Sequence, residues 1–195
     1  MNVFIGGSIG IKQLDCAVMS ELQRFIGNNA EILVGDACGA DRLVQAYFAA
    51  KGYKSVQVYA SGGKVRNNLG GWKVNNIDVP SEICGKAYYM QKDIAMTADC
   101  DCGFMIWNGK SKATLANIRR LSAMGKVAHV YLTYKGQMQV ISGNKDYIKL
   151  LGAKGIAKLL TRDTPIEEIV SYCNDEQDFE RIVAEFIKLG DEHKS

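Results

Sequence analysis

Two aspartates stand five residues apart around a glycine turn in Gly35-Asp36-Ala37-Cys38-Gly39-Ala40-Asp41-Arg42. A carboxylate set directly after a buried strand can hold a ribose hydroxyl pair or act as a base, which makes Asp36 the first candidate for chemistry. Asp41, at the start of the helical pattern that follows, reads as that helix's cap and as a second ligand contact. Gly6-Gly7-Ser8-Ile9-Gly10 follows another apolar run; glycines there let backbone close on a ligand, and the next helix start offers free N–H groups. Trp107-Asn108-Gly109-Lys110-Ser111-Lys112-Ala113-Thr114 places two lysines and two hydroxyls at a helix start, a phosphate cradle by the anion preference of helix N-termini. Read as plain structure, it is a capped turn with Ser111 as N-cap. Arg66-Asn67-Asn68-Leu69-Gly70-Gly71-Trp72 suits a lid over a base or phosphate, through stacking and bidentate contacts. Asp93 is a second candidate nucleophile or acid, with Asn117 positioning a sugar; as structure it caps a helix or pairs with a neighbouring lysine.

Other chemistries lack their motifs. The glycine spacing near the N-terminus does not fit G-x-G-x-x-G, and Gly109-Lys110-Ser111 lacks the upstream glycine of a P-loop. The six cysteines include no C-x-x-C, and His129 and His193 lie far from any cysteine pair, so no metal and no cofactor is expected. Reduced, mostly buried thiols in a cytoplasmic protein are the expectation.

Positioning these loops requires strands and helices in alternation. Val3-Phe4-Ile5, Ile32-Leu33-Val34, Val56 to Tyr59, Phe104 to Trp107 and Val127 to Leu132 are apolar runs. Between them lie helical patterns: Leu14, Val18, Leu22 and Phe25 closed by Gly27; Leu43, Val44, Tyr47 and Phe48 closed by Gly52; a helix from about Lys86 to Ala98; and Leu115, Ile118, Leu121 and Met124 stopped by Gly125. Apolar strands separated by helices mean a parallel sheet covered on both faces, here a Rossmann-like, doubly wound α/β sheet of about five strands. Residues Ser61 to Pro80, without periodicity, read as a long loop. Ligands of such sheets sit outside the strands' carboxyl ends, where the first and fourth of these strands are neighbours.

The Rossmann-like domain is expected over residues 1–135. Residues 136–195 form a strand and helical extension: a short strand from Met138 to Ile141, a capping box with Pro165 at the first helical position, and a stripe of Phe179, Ile182, Val183, Phe186 and Ile187 ended by Gly190. Such a tail packs on the sheet or on a second subunit, and a homodimer or higher homo-oligomer is expected.

The 195 residues are 47% hydrophobic and 23% charged with a net charge of +3, the usage of a folded protein. That charge is too mild to argue for nucleic acid. No apolar run approaches a membrane span, and the first residues read as a strand, not a signal peptide. Residues 61–135 carry eleven basic and five acidic side chains, a net +6, whereas residues 136–195 carry eight and eleven. A basic centre suits a small anion.

Together Phe4 to Ser8, Val34-Gly35-Asp36-Ala37-x-Gly39-Ala40-Asp41, Arg66-Asn67-Asn68-x-Gly70-Gly71-Trp72 and Met105-Ile106-Trp107-x-Gly109-Lys110-Ser111-x-x-Thr114 resemble the SLOG superfamily. The likeness covers residues 2–132 and is to the bacterial and phage branch carrying G-D-A-x-G-A-D and W-D-G-K-S-K-G-T. It implies a Rossmann-like fold that binds nucleotides or nucleotide-derived ligands, as in the lonely-guy phosphoribohydrolases, the DNA-processing protein A and sensing domains of phage defence. The lonely-guy enzymes place carboxylates two and three residues after the threonine that Thr114 matches; here those positions are Ala116 and Asn117. Asn108 and Ala113 depart from the branch's Asp and Gly. The expected function is binding, sensing or sequestering of a phosphorylated nucleotide-like molecule. N-glycosidic bond cleavage or transfer through Asp36 or Asp93 is the alternative.

Overall fold

Every apolar run becomes a strand in the computed structural model, which describes residues 1–192; His193 lies outside the described residues. In chain order the elements are β1 (Asn2–Gly7), α1 (Cys16–Gly27), β2 (Glu31–Gly35), α2 (Ala40–Ala50), β3 (Val56–Ser61), β4 (Lys73–Ile77), α3 (Gly85–Asp99), β5 (Cys102–Trp107), α4 (Lys112–Ala123), β6 (Ala128–Leu132), β7 (Gln137–Ile141), α5 (Asp146–Ala157), α6 (Ile166–Ser171) and α7 (Glu176–Glu192). The sheet order is β4-β3-β2-β1-β5-β6-β7, with β1 to β6 paired parallel. The chain steps outward from β1 to β4, then returns through α3 to pair β5 on β1's other side. The winding therefore reverses between β1 and β5, where doubly wound sheets open a ligand crevice.

β1, β2, β3, β5 and β6 are buried at most positions because helices cover both faces. On one face Val18, Leu22 and Phe25 of α1, spaced by helical turns, join Val44 and Phe48 of α2 over Val3, Ile5, Ile32, Val34, Phe104 and Ile106. Burying each such side chain contributes about 1.5–3 kcal/mol.

Seven strands form where about five were expected. β7 joins the sheet itself, and β4 lies inside the stretch read as a loop. Its sequence, Lys73-Val74-Asn75-Asn76-Ile77, has no buried position: an edge strand satisfies one ladder, Gln57↔Lys73 through Ser61↔Ile77, without an apolar run.

Two compact units divide the chain, Met1–Val140 and a second from Ile141 onward; the division falls within β7 rather than at 135–136. In the second unit, α5 breaks at Gly152 (φ 66°, ψ 171°). Pro165 stands at the N-cap of α6 instead of its first helical position, and Thr164 Oγ1 accepts Thr161 N–H at 2.8 Å in the preceding turn. Gly190 does not end α7, which continues to Glu192. An open groove of about 570 Å3 is lined by this unit alone, including Lys145, Val170, Cys173 and Phe179. The thiols are less buried than expected: all six are free, but Cys16, Cys38 and Cys84 are exposed. Among the described residues no helix is long and apolar enough to cross a membrane.

Candidate functional site

The carboxyl ends of β1 and β5 adjoin through the pairs Gly6↔Met105 and Gly7↔Ile106, and the two loops beyond them share one hydrogen-bonded cluster. Ser8, buried, donates its hydroxyl to Asn108 Oδ1 at 3.1 Å and accepts Asn108 N–H at 3.2 Å; its Oγ lies 3.4 Å from Thr114 Oγ1. Ser111 caps α4 as expected: its Oγ accepts Thr114 N–H at 3.3 Å and the Thr114 hydroxyl at 2.9 Å. Asn108 Oδ1 also accepts from Lys110 N and Ser111 N. Trp107 is buried, and its Nε1 donates to Ser111 O at 3.0 Å, so the indole braces the loop from below. Gly109 turns at φ 76°, and a Cβ there would press on the Tyr134 ring. Gly109, Lys110 and Lys112 are exposed, and among the described residues neither ammonium has an ion-pair partner. Hydroxyls, two exposed cations and the positive end of α4 thus meet at the switch point.

The glycines of the first loop serve the chain's own packing. A Cβ on Gly7 would lie 2.5 Å from Ile106 O and 2.7 Å from Ala40 Cβ, and Ala40 N donates to Ser8 O at 3.3 Å. Gly39 (φ 72°) lies against Ile9 carbonyl. The loop after β1 and the start of α2 are thereby drawn together.

Asp36 follows β2 directly and is 2% exposed. It does not wait as an unengaged base: Arg66 donates from N at 3.1 Å and Nε at 3.0 Å to Oδ2, and from Nη2 at 2.5 Å to Oδ1. Burial pushes this carboxyl up, but the Arg66 hydrogen bonds and the charges of Arg66 and Lys92 outweigh it and hold the group below the usual carboxylate range. Asn67 Nδ2 donates to Asp36 O at 2.8 Å. Gln45, fully buried, donates to Gly35 O and Asn67 O and accepts from Leu69 N. The Arg66 segment is therefore pinned to the end of β2.

Asp41 does not occupy the cap of α2; that position is Gly39. Asp41 lies inside the first turn, accepts Ala37 N–H at 3.2 Å and faces Lys92, whose Nζ is 3.5 Å away. Lys92 Nζ also contacts Asp93 Oδ1 at 2.8 Å. Asp93 Oδ2 accepts from Asn117 Nδ2 at 3.2 Å, and Asn117 Oδ1 accepts from Arg120 at 2.7 Å. Burial pushes Asp41 up to about 6 against the pull of Lys92, with the Asp93 charge adding to the rise. Burial lowers Lys92, but Asp41 and Asp93 outweigh it and hold the ammonium above its ordinary value. A side chain at Gly35 would strike Lys92 Nζ and Asp41 Oδ2, so this network needs the bare backbone of β2.

Trp72 is the correction in the Arg66 loop. It offers no stacking face; it is 8% exposed, belongs to the main core and donates Nε1–H to Tyr53 O at 2.9 Å. Sequence reasoning missed Gln45, Arg120 and the Lys92–Asp41 pair, although Lys92 is the neighbouring lysine expected beside Asp93, and it treated Asn108 only as a departure from a motif. For Lys92 a signal exists: it lies on one face of α3 with Met96, and a lysine in a buried stripe demands a carboxylate partner.

The chain matches no protein-family model, no curated protein and no solved structure. The functional reading therefore rests on the geometry of this site and its motifs.

Proposed function

We propose that the protein binds a phosphorylated nucleotide, or a small molecule derived from one, at the carboxyl ends of β1 and β5, and acts as a sensing or sequestering module. The observation that carries this reading is the single hydroxyl cluster of Ser8, Ser111 and Thr114 at the start of α4, beside the two exposed lysines Lys110 and Lys112. Such a helix start attracts anions through its free N–H groups and dipole. The SLOG-like motifs support the same reading, since their glycine turns, hydroxyls and lysines are present. The N-glycosidic alternative has less support. Asp36 is occupied by Arg66, and Asp93 by Lys92 and Asn117, while Ala116 and Asn117 do not ionise as carboxylates.

Thermal unfolding against a panel of nucleotides tests the proposal. A ligand at 100 times its Kd adds about 2.7 kcal/mol, or about 5–10 °C at this chain length. Replacing both Lys110 and Lys112 by alanine should abolish most of the shift. No shift with any nucleotide, or an equal shift in that variant, refutes it.

A further inference from the structure

We propose that the ring of Tyr89, backed by Arg66, is the surface on which the base of the ligand stacks; this deepens, and rests on, the nucleotide reading above. Tyr89 lies in the first turns of α3 and is 50% exposed. The Arg66 guanidinium carbon sits 4.6 Å from its ring centroid. That guanidinium is held by two hydrogen bonds to the buried Asp36 carboxylate, and the Arg66 backbone N–H donates a third, so the arginine has already lost the rotamer freedom that a surface arginine would lose on binding. Tyr88 meets the Tyr89 ring edge to face, with centroids 5.3 Å apart and planes at 89°. The ring is positioned by two neighbours, yet half its surface is left to solvent.

A cation against one face of an aromatic ring is attracted by its π-electrons. It offsets the electron richness that makes face-to-face stacking unfavourable, so the ring suits the flat face of a base. Place agrees with chemistry. Asp36 follows β2 and Ser8 follows β1, and neighbouring strands are about 4.8 Å apart. A mononucleotide laid across these two strand ends has its phosphate at Ser8 and Ser111 and its base toward Arg66 and Tyr89. Stacking uses the π-face common to all bases, so this surface binds purines and pyrimidines without selecting by hydrogen bonds.

The test is calorimetric titration of the full chain with AMP, adenosine and ribose 5-phosphate. Wild type is compared with Tyr89→Ala, Tyr89→Phe and Tyr134→Ala, the last altering an equally exposed tyrosine near the β5 loop. Tyr89→Ala should weaken AMP and adenosine about ten-fold and leave ribose 5-phosphate unchanged, which also shows that the variant is folded. Tyr89→Phe and Tyr134→Ala should bind as wild type. Unchanged AMP affinity in Tyr89→Ala, equal loss of AMP and ribose 5-phosphate, or a loss confined to Tyr134→Ala overturns the stacking proposal while the phosphate reading stands. Binding of adenosine that needs Tyr89, with no preference for AMP and none for ribose 5-phosphate, overturns the phosphate reading alone. No binding of any probe to wild type overturns both.

Discussion

Replacing Lys92 by methionine keeps the stem and removes the charge. Its ammonium lies 2.8 Å from Asp93 and 3.5 Å from Asp41, with the lysine side chain only 5% exposed. Removing one partner of a buried pair leaves the other uncompensated, a loss of about 3–5 kcal/mol from a total of about 5–15 kcal/mol. The loss should depend on pH in a stated direction. Asp41 titrates near 6, above its ordinary 3.8. The folded state therefore holds this proton more tightly than the unfolded chain, and the group's contribution, full below about 4, is lost as pH rises through about 6. The gap of about two pH units corresponds to about 3 kcal/mol. In Lys92→Met the carboxyl rises further. At pH 5 it is protonated and needs no cation, whereas at pH 8 it is ionised and unpaired. Denaturant unfolding should show a loss at least about 1 kcal/mol smaller at pH 5 than at pH 8, and adding Asp41→Asn should restore part of the loss at pH 8. A loss below about 1 kcal/mol, or one equal at both pH values, refutes the network.

Three further perturbations follow from the same contacts. Asp36 is held below its ordinary range, so its contribution is present above about 4 and lost as pH falls below that; Arg66→Met should flatten or reverse this acid limb in a series of Tm values from pH 2.5 to 5. Gly39→Ala combines a φ of 72° with a collision at Ile9 carbonyl and should destabilise by about 1–3 kcal/mol or more, read by chemical denaturation; a neutral result would mean that the loop after β1 and the start of α2 are free to part. Trp72→Phe keeps the packing but removes the indole donor to Tyr53 O, and should lower stability by about 1 kcal/mol without changing ligand affinity. A specific loss of nucleotide binding would return Trp72 to the site.

The central strands were legible because a strand buried on both faces must be apolar throughout, as Ile32-Leu33-Val34 is. Helix ends at Gly52 and Gly125 were legible for a similar reason: both adopt positive φ after the last helical turn, which few other residues tolerate. Ser111 was readable as a cap because cap chemistry is local, joining residues three apart. What escaped was decided by distant contacts. β4 carries no hydrophobic pattern, since its pairing with β3 is backbone chemistry. A lysine beside Asp93 was legible as its partner, but the second carboxylate on Lys92, Asp41, lies 51 positions earlier and meets it only in the fold. Trp72 follows two glycines and looks like loop, but its N–H finds a carbonyl 19 residues upstream. Gly190 failed as a stop because a single glycine near a helix end is tolerated at about 1 kcal/mol.

The outermost position of β4 has a meaning for neighbouring molecules as well as for the fold. An edge strand offers unpaired backbone groups to any other chain, and a longer or more apolar one would invite growth of the sheet from copy to copy. Here the border is Lys73, Asn75 and Asn76, of which Lys73 and Asn76 are exposed. A second strand laid there would have to strip the hydration of an ammonium and of amides poorly suited to pleated surfaces. On this side, then, strand-to-strand aggregation is discouraged by composition.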